Sequence, residues 1–324
     1  MRHPVQAIGM VLLAALLVGC EEKVKRIAGE GDDDDGTGSG DSDTDADTSG
    51  DSDADGDGGA KESCQFVDIL FMIDQSPSMG EPQELLASHF PGFVDAMFDT
   101  LPPETNLHVG IVTSSFFSGS CSESTISCRT GQTPEEVLAH YTKPTDENNG
   151  ANGGQGRLYE YEGKRYFEAN TSGDREPLKS WFSGAAKSVG EGGCSYEMHS
   201  AAVGYAGHEV NAEHNKGFFR DAGALLVIFY LADEPDKSPE PLQDYHDWIA
   251  SQKAACGGDK CIITAGLINP CTVTTNDNHW LFLNMFGEEP IWGSIYDQAK
   301  FETVVGNALA AVIGQTCLEI MTPE

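Results

Sequence analysis

Phe66-Val-Asp-Ile-Leu-Phe-Met-Ile-Asp-Gln-Ser-Pro-Ser-Met-Gly80 decides the fold. Its first eight residues are apolar and β-branched apart from Asp68, the composition of a strand buried on both faces. The run stops on an acid, Asp74, and a loop with hydroxyls at alternate positions, Ser76 and Ser78, follows at once. Residues 83–101 then carry apolar side chains at helical spacing: Leu86, Phe90, Phe93, Val94, Met97 and Leu101. Strand, Asp-x-Ser-x-Ser loop and helix, in that order, present oxygen ligands at the carboxyl end of a strand. Open α/β sheets bind their ligands at that edge.

Outward from this unit the same alternation repeats. Pro91 is predicted to kink or interrupt the first helix. Residues 107–112 read as a second strand ending on Thr113, Ser114 and Ser115. A long insert rich in Gly, Asn and Ser runs to about residue 156, with a helical turn expected at 134–140. A third strand is predicted at 164–167, a helix at 177–189, and another at 196–210 after the Gly-rich break 190–193. The stretch 224–232 is the most apolar of the mature chain and ends on Asp233, as a central parallel strand would. A helix at 241–255, a strand at 261–268 and a terminal helix at 300–313 complete the pattern. Strands alternating with helices predict an α/β, Rossmann-like fold: a mostly parallel sheet flanked by helices on both faces.

The N-terminal region is of another kind. Arg2 and His3 precede an apolar run of about 15 residues, shorter than the roughly 20 that span a bilayer as a helix. A basic start, a short apolar core and small residues before Cys20 describe a signal peptide over residues 1–19. Leu17-Val18-Gly19-Cys20 resembles the bacterial lipobox, which implies lipidation of Cys20 and a chain held at the bacterial cell envelope by a lipid anchor. Residues 20–62 are dominated by Asp, Gly, Ser and Thr. They cannot bury enough surface to offset their ordering entropy and are expected to form a disordered, extended stalk. Asp51 to Glu62 matches the EF-hand loop pattern. It lacks flanking amphipathic helices and has Gly58 at the eighth position, so alternating Asp in an acidic tract accounts for it.

The remaining residues 63–324 are long enough for one large domain. The formal charge of the chain is −33. The stalk supplies about −12 and the leader about +1, leaving the domain near −22. No basic patch is visible, which argues against a nucleic-acid partner. Nine cysteines less Cys20 leave eight in an exported chain, a number that suggests disulfides. Cys121 with Cys128 would close a short polar segment, and Cys256 with Cys261 would bracket Gly-Gly-Asp-Lys. Cys64 with Cys317 would join the domain termini, which often lie close together. No C-x-x-C occurs to suggest structural zinc.

Asp74 and Asp233 would both stand at carboxyl ends of parallel strands, with Ser76 and Ser78 beside them. Hard cations such as Mg2+ take near-octahedral oxygen and keep several waters. Two hydroxyls and two carboxylates leave such an ion electrophilic enough to accept an external carboxylate. Here the chain resembles a von Willebrand factor A domain over residues 64–317, and Asp74-x-Ser76-x-Ser78 is similar to that family's metal-ion-dependent adhesion site. The resemblance implies that Ser76 and Ser78 hold Mg2+, or Mn2+ or Ca2+, directly. It further implies that Asp233 and a Thr from a later loop complete the site, often through water. In place of the usual Gly-Gly-Thr the chain has Gly192-Gly193-Cys194-Ser195-Tyr196-Glu197, which offers Ser195 as a hydroxyl and Glu197 as a carboxylate. Thr113 is a further candidate by its place at the end of the second strand.

Rival chemistries are weakly represented. His208 and His214 are six apart, about 240° round a helix, where a zinc-protease helix needs two His four apart. No Gly-x-Ser-x-Gly elbow and no P-loop occurs. Trp248, Trp280 and Trp292 read as core aromatics, and the other His residues as ordinary surface or core positions. The sequence therefore predicts a non-enzymatic adhesion or interaction module, binding a protein or matrix ligand that offers a carboxylate. A metal-free structural envelope protein is the alternative, with a hydrolase behind it.

Overall fold

The computed structural model describes residues 65–116, 154–193, 196–220, 223–274, 276–287 and 290–297, with Gly306, Leu309, Ala310, Ile313 and Gly314. The leader, the stalk with its Asp51–Glu62 motif, the turn at 134–140 and most of the 300–313 helix lie outside these residues. So do Cys20, Cys64, Cys121, Cys128, Cys194, Ser195 and Cys317.

Six strands form one sheet: β1 (Phe66–Ile73), β2 (Asn106–Thr113), β3 (Tyr166–Asn170), β4 (Ala224–Ala232), β5 (Ile262–Ile268) and β6 (Ile291–Ser294), in the order β3-β2-β1-β4-β5-β6. All neighbours run parallel except β3, which pairs antiparallel with β2 at the edge. β1 lies between β2 and β4 in unbroken register, Phe66 opposite Asn106 and Ala224. All nine residues of β4 are buried, which is why that strand shows no alternation in sequence.

Period-2 geometry splits each central strand between two cores. Val67, Ile69, Phe71 and Ile73 join Leu225, Val227, Phe229 and Leu231 under α1 (Gly80–Thr100) and α2 (Glu176–Val189). Leu70 and Met72 join Leu226, Ile228 and Tyr230 under α3 (His199–Gly207), α4 (Leu242–Ser251) and α5 (Asn278–Leu283). Helices thus cover both faces of the sheet.

Several sequence expectations need correction. Pro91 does not interrupt α1, which is continuous over 21 residues. Proline removes the hydrogen bond to the carbonyl four residues back. Here the Ala87 carbonyl accepts one from Ser183 Oγ of α2 at 2.8 Å instead. The third strand lies at Tyr166–Asn170, displaced toward the C-terminus and antiparallel. The helix expected from 196 starts only at His199, because Asp236 caps it there: its Oδ1 accepts from the His199 amide at 2.8 Å and its Oδ2 from the Ser200 amide at 3.1 Å. Trp248, Trp280 and Trp292 are half-buried, the last two stacked with ring centroids 4.9 Å apart. β6 and α5 carry no periodicity long enough to be read in advance. The Cys256–Cys261 disulfide is present, and Cys271 is disulfide-bonded to a cysteine outside the described residues.

Candidate metal centre

The sheet order reverses at β1 and β4, so their carboxyl ends form the crevice in which such sheets bind ligands. Both loops that the sequence singled out enter it. Asp74 is fixed by its amide, which donates to the Leu231 carbonyl of β4 at 2.9 Å. Its Oδ1 accepts from the Ser76 amide at 2.9 Å and from Ser114 Oγ at 3.1 Å. The Ser76 and Ser78 hydroxyls lie 2.9 Å apart, and both approach Asp233 Oδ1, at 3.5 and 3.1 Å. Ser78 is exposed while Asp74, Ser76 and Asp233 are buried, so this oxygen cluster opens to solvent on one side.

Behind it lies a second set of donors. Asp74, Glu197 and His199 are all fully buried, and one ligand atom from each falls within 4.8 Å of the others. This is the single such grouping of His, Cys, Asp and Glu found among the described residues. His199 Nε2 stands 3.4 Å from Asp74 Oδ2, a charge contact without hydrogen-bond geometry. Asp74 Oδ2, Glu197 Oε1 and both His199 nitrogens have no hydrogen-bond partner. Such atoms each cost about 1–3 kcal/mol when buried unmade. Glu197 Oε2 faces Lys237 Nζ at 3.3 Å.

The electrostatics follow from crowding. Burial, and then the Asp74 charge, push the Glu197 carboxyl up to about 10, against the pull of Lys237. Burial raises Asp233 as well, with Asp74 and Glu234 adding to it. Burial opposes the charged form of Asp74 too, but His199, the Ser76 amide and the Ser114 hydroxyl hold it below the usual carboxylate range. His199 is the counterpart: burial alone would lower it, and Asp74, Asp236 and Asp277 raise it. Three acids around one crevice with unpaired lone pairs are what a divalent cation would offset. The donor set fits such an ion.

The Asp-x-Ser-x-Ser loop after the first strand and the acid after the central strand meet at this edge of the sheet. The fold is an α/β, Rossmann-like one, a mostly parallel six-stranded sheet with helices on both faces. No family model and no curated protein matches the chain. Solved structures similar to it include a von Willebrand factor type A protein from Catenulispora acidiphila, at 15% identity over 80% of this chain and 43% of that one, TM-score 0.36. Proximal thread matrix protein 1 of the mussel byssus follows at 10% identity, over 76% and 48%, TM-score 0.41. Manganese-loaded TRAP protein from Plasmodium vivax is similar at 12%, over 78% and 72%, TM-score 0.34. The chain spans less than half the length of the first two.

For the third contributor the sequence left Ser195, Glu197 and Thr113 open. Ser195 lies outside the described residues, whereas Glu197 is in the crevice. Thr113 is buried at the end of β2, and its neighbour Ser114 is the hydroxyl that reaches Asp74. His199 was passed over as an ordinary position. The available signal was its place two residues beyond Glu197, at the start of a helix entering the ligand edge. His208 and His214 do not converge. The first packs on Trp248 and the second on the Leu158 carbonyl.

Proposed function

We propose that the domain is an interaction module that holds a divalent cation at the β1–β4 crevice and docks a carboxylate-bearing protein or matrix ligand there. The convergence of Ser76, Ser78 and Asp233 oxygens beside exposed Ser78 supports this reading. Ser76, Ser78 and Asp233 would hold the ion, with Asp74 behind them. A bound divalent cation supplies a Lewis-acidic position for an external carboxylate. Asp74 and Ser114 keep the loop in shape, and the buried floor keeps the oxygens preorganised. In this reading Cys20 and the acidic stalk carry the domain at a bacterial envelope, and the chain binds rather than catalyses.

The test is thermal unfolding of the purified chain in EDTA and in Mg2+ or Mn2+. At a metal concentration about 100 times the Kd, linkage gives about 2.7 kcal/mol of stabilisation. That amounts to roughly 5–11 °C for a domain of this size. Asp233→Ala should remove the gain and, with it, metal-dependent capture by immobilised acidic peptide. Equal melting temperatures with and without metal in the native chain would support a metal-free structural role instead.

A further inference from the structure

We infer that the cation centre extends inward to a nitrogen ligand, His199, so that it selects nitrogen-accepting divalent transition metals over Mg2+. This rests on the reading of the β1–β4 crevice as a cation site and specifies the class of ion it takes.

The all-oxygen cluster of Ser76, Ser78 and Asp233 leaves other polar atoms of the crevice unaccounted for. Asp74 has two oxygens, and only Oδ1 is used by the protein, by the Ser76 amide and the Ser114 hydroxyl. Oδ2 points to the other side, where Glu197 Oε1 and His199 Nε2 also lie without hydrogen-bond partners. The three residues are fully buried, so bulk water does not satisfy them. Two carboxylate oxygens and an imidazole nitrogen, from the end of β1 and the run 197–199, share one small volume.

The imidazole is oriented as a ligand. Its far nitrogen, Nδ1, faces Asp236 Oδ1 at 3.8 Å. Asp236 is itself immobilised: Oδ1 takes the His199 amide at 2.8 Å, the Ser238 amide at 2.9 Å and the Ser238 hydroxyl at 2.6 Å, and Oδ2 takes the Ser200 amide at 3.1 Å. A cation entering the crevice would displace the proton that Nε2 shares with Asp74, and the Asp236 carboxylate beyond Nδ1 would then favour the tautomer protonated on that side. The His279 ring stacks on His199 with centroids 4.3 Å apart and planes 28° from parallel, which fixes the plane of the ring. His279 is in turn held by Asp277, whose Oδ1 lies 3.0 Å from its Nδ1.

Ligand chemistry then sets selectivity. Mg2+ takes oxygen and keeps its waters, and gains little from an imidazole. Mn2+, Co2+ and Zn2+ accept mixed nitrogen and carboxylate donors, with affinity rising from Mn2+ to Co2+ along the first row.

The purified, chelator-treated chain, loaded with Mn2+, tests this by pulsed electron paramagnetic resonance. Nitrogen modulation is expected in the native chain, changing to the 15N pattern when histidine alone is 15N-labelled, a readout that needs no variant. Calorimetric competition should show Co2+ and Mn2+ displacing Mg2+. In His199→Gln the transition-metal affinity should fall on the order of 10- to 100-fold, the range for loss of a metal-site partner, with Mg2+ affinity nearly unchanged. Mn2+ that binds without nitrogen modulation and is displaced equally by Mg2+ would overturn the inference and leave an oxygen-only cation site standing. Failure of every ion to bind would overturn both readings, with water then filling the inner crevice.

Discussion

Asp68→Asn should cost the domain a large part of its stability. Asp68 is the one charged residue of β1 and is fully buried near the end of the sheet opposite the β1–β4 crevice. Its Oδ2 lies 2.6 Å from Lys253 Nζ, and Lys253 is fully buried as well. Its Oδ1 accepts from Arg220 Nε at 2.7 Å, and Oδ2 from the Arg220 amide at 2.9 Å. Arg220 is partly exposed and can turn toward water, whereas Lys253 cannot. The substitution therefore takes the carboxylate away from a buried ammonium, which costs about 3–5 kcal/mol when one partner of such a pair is removed. Lys253 Nζ keeps its 2.6 Å bond to the Arg220 carbonyl, which places the loss near the lower end, about 3 kcal/mol. Against a total of roughly 5–15 kcal/mol this is a major fraction. Urea unfolding followed by tryptophan fluorescence measures it. The paired Asp68→Leu, Lys253→Met variant should recover stability, since no charge is then left buried. A loss under about 1 kcal/mol for Asp68→Asn, the range of exposed pairs, would refute the reasoning and show the two charges to be hydrated.

Two further outcomes follow from the fold. Phe182 of α2 stacks on Phe90 of α1 at 3.5 Å and touches Phe71 of β1 at 4.6 Å, so it ties both helices to the central strand. Phe182→Ala should cost about 3–5 kcal/mol in the same urea assay, and a loss under 1.5 would mean that the site collapses around the gap. Burial holds His108 below the ordinary histidine value of 6.5, while the Phe218 carbonyl and the Asp68 and Glu168 charges pull the other way and Arg220 adds to the lowering. The unfolded chain therefore binds the proton more readily. This contribution is complete above about 6.5 and is lost as pH falls through that value toward the lower folded one. The acid limb of a stability–pH curve between pH 7 and 5 should be shallower in His108→Gln than in the native chain. Identical slopes would remove His108 from the account.

The fold was legible because burial leaves a simple mark. β4 is apolar throughout and β1 nearly so, and only a strand buried on both faces in a parallel sheet tolerates that composition. The Cys256–Cys261 bond was legible from spacing alone. Pro91 was misread because the rule about proline concerns an isolated helix. The partner that relieves Ala87, Ser183, is remote in sequence and could be named only once α1 and α2 were seen to pack. β3 and β6 are short and half-buried at the sheet edges, where alternation is too brief to count.

The site divides along the same line. Asp74, Ser76 and Ser78 are local: one strand end and one loop hold all three, so a spacing rule finds them. Asp233 is remote but announced by the strand before it. His199 has neither advantage. Its role depends on the Asp236 carboxylate behind it, the His279 ring on its face and Asp74 in front, contributed by three separate segments. Glu197 and His199 sit two apart in an irregular run that crosses from loop to helix, so no periodicity marks them as facing the same way. The physical signature is instead the unpaired atoms themselves. Two carboxyl groups and an imidazole lie buried within 4.8 Å of one another with atoms unpaired, a cost that either protons or a cation would have to offset. Which of the two offsets the cost here is what the nitrogen signal from bound Mn2+ reads.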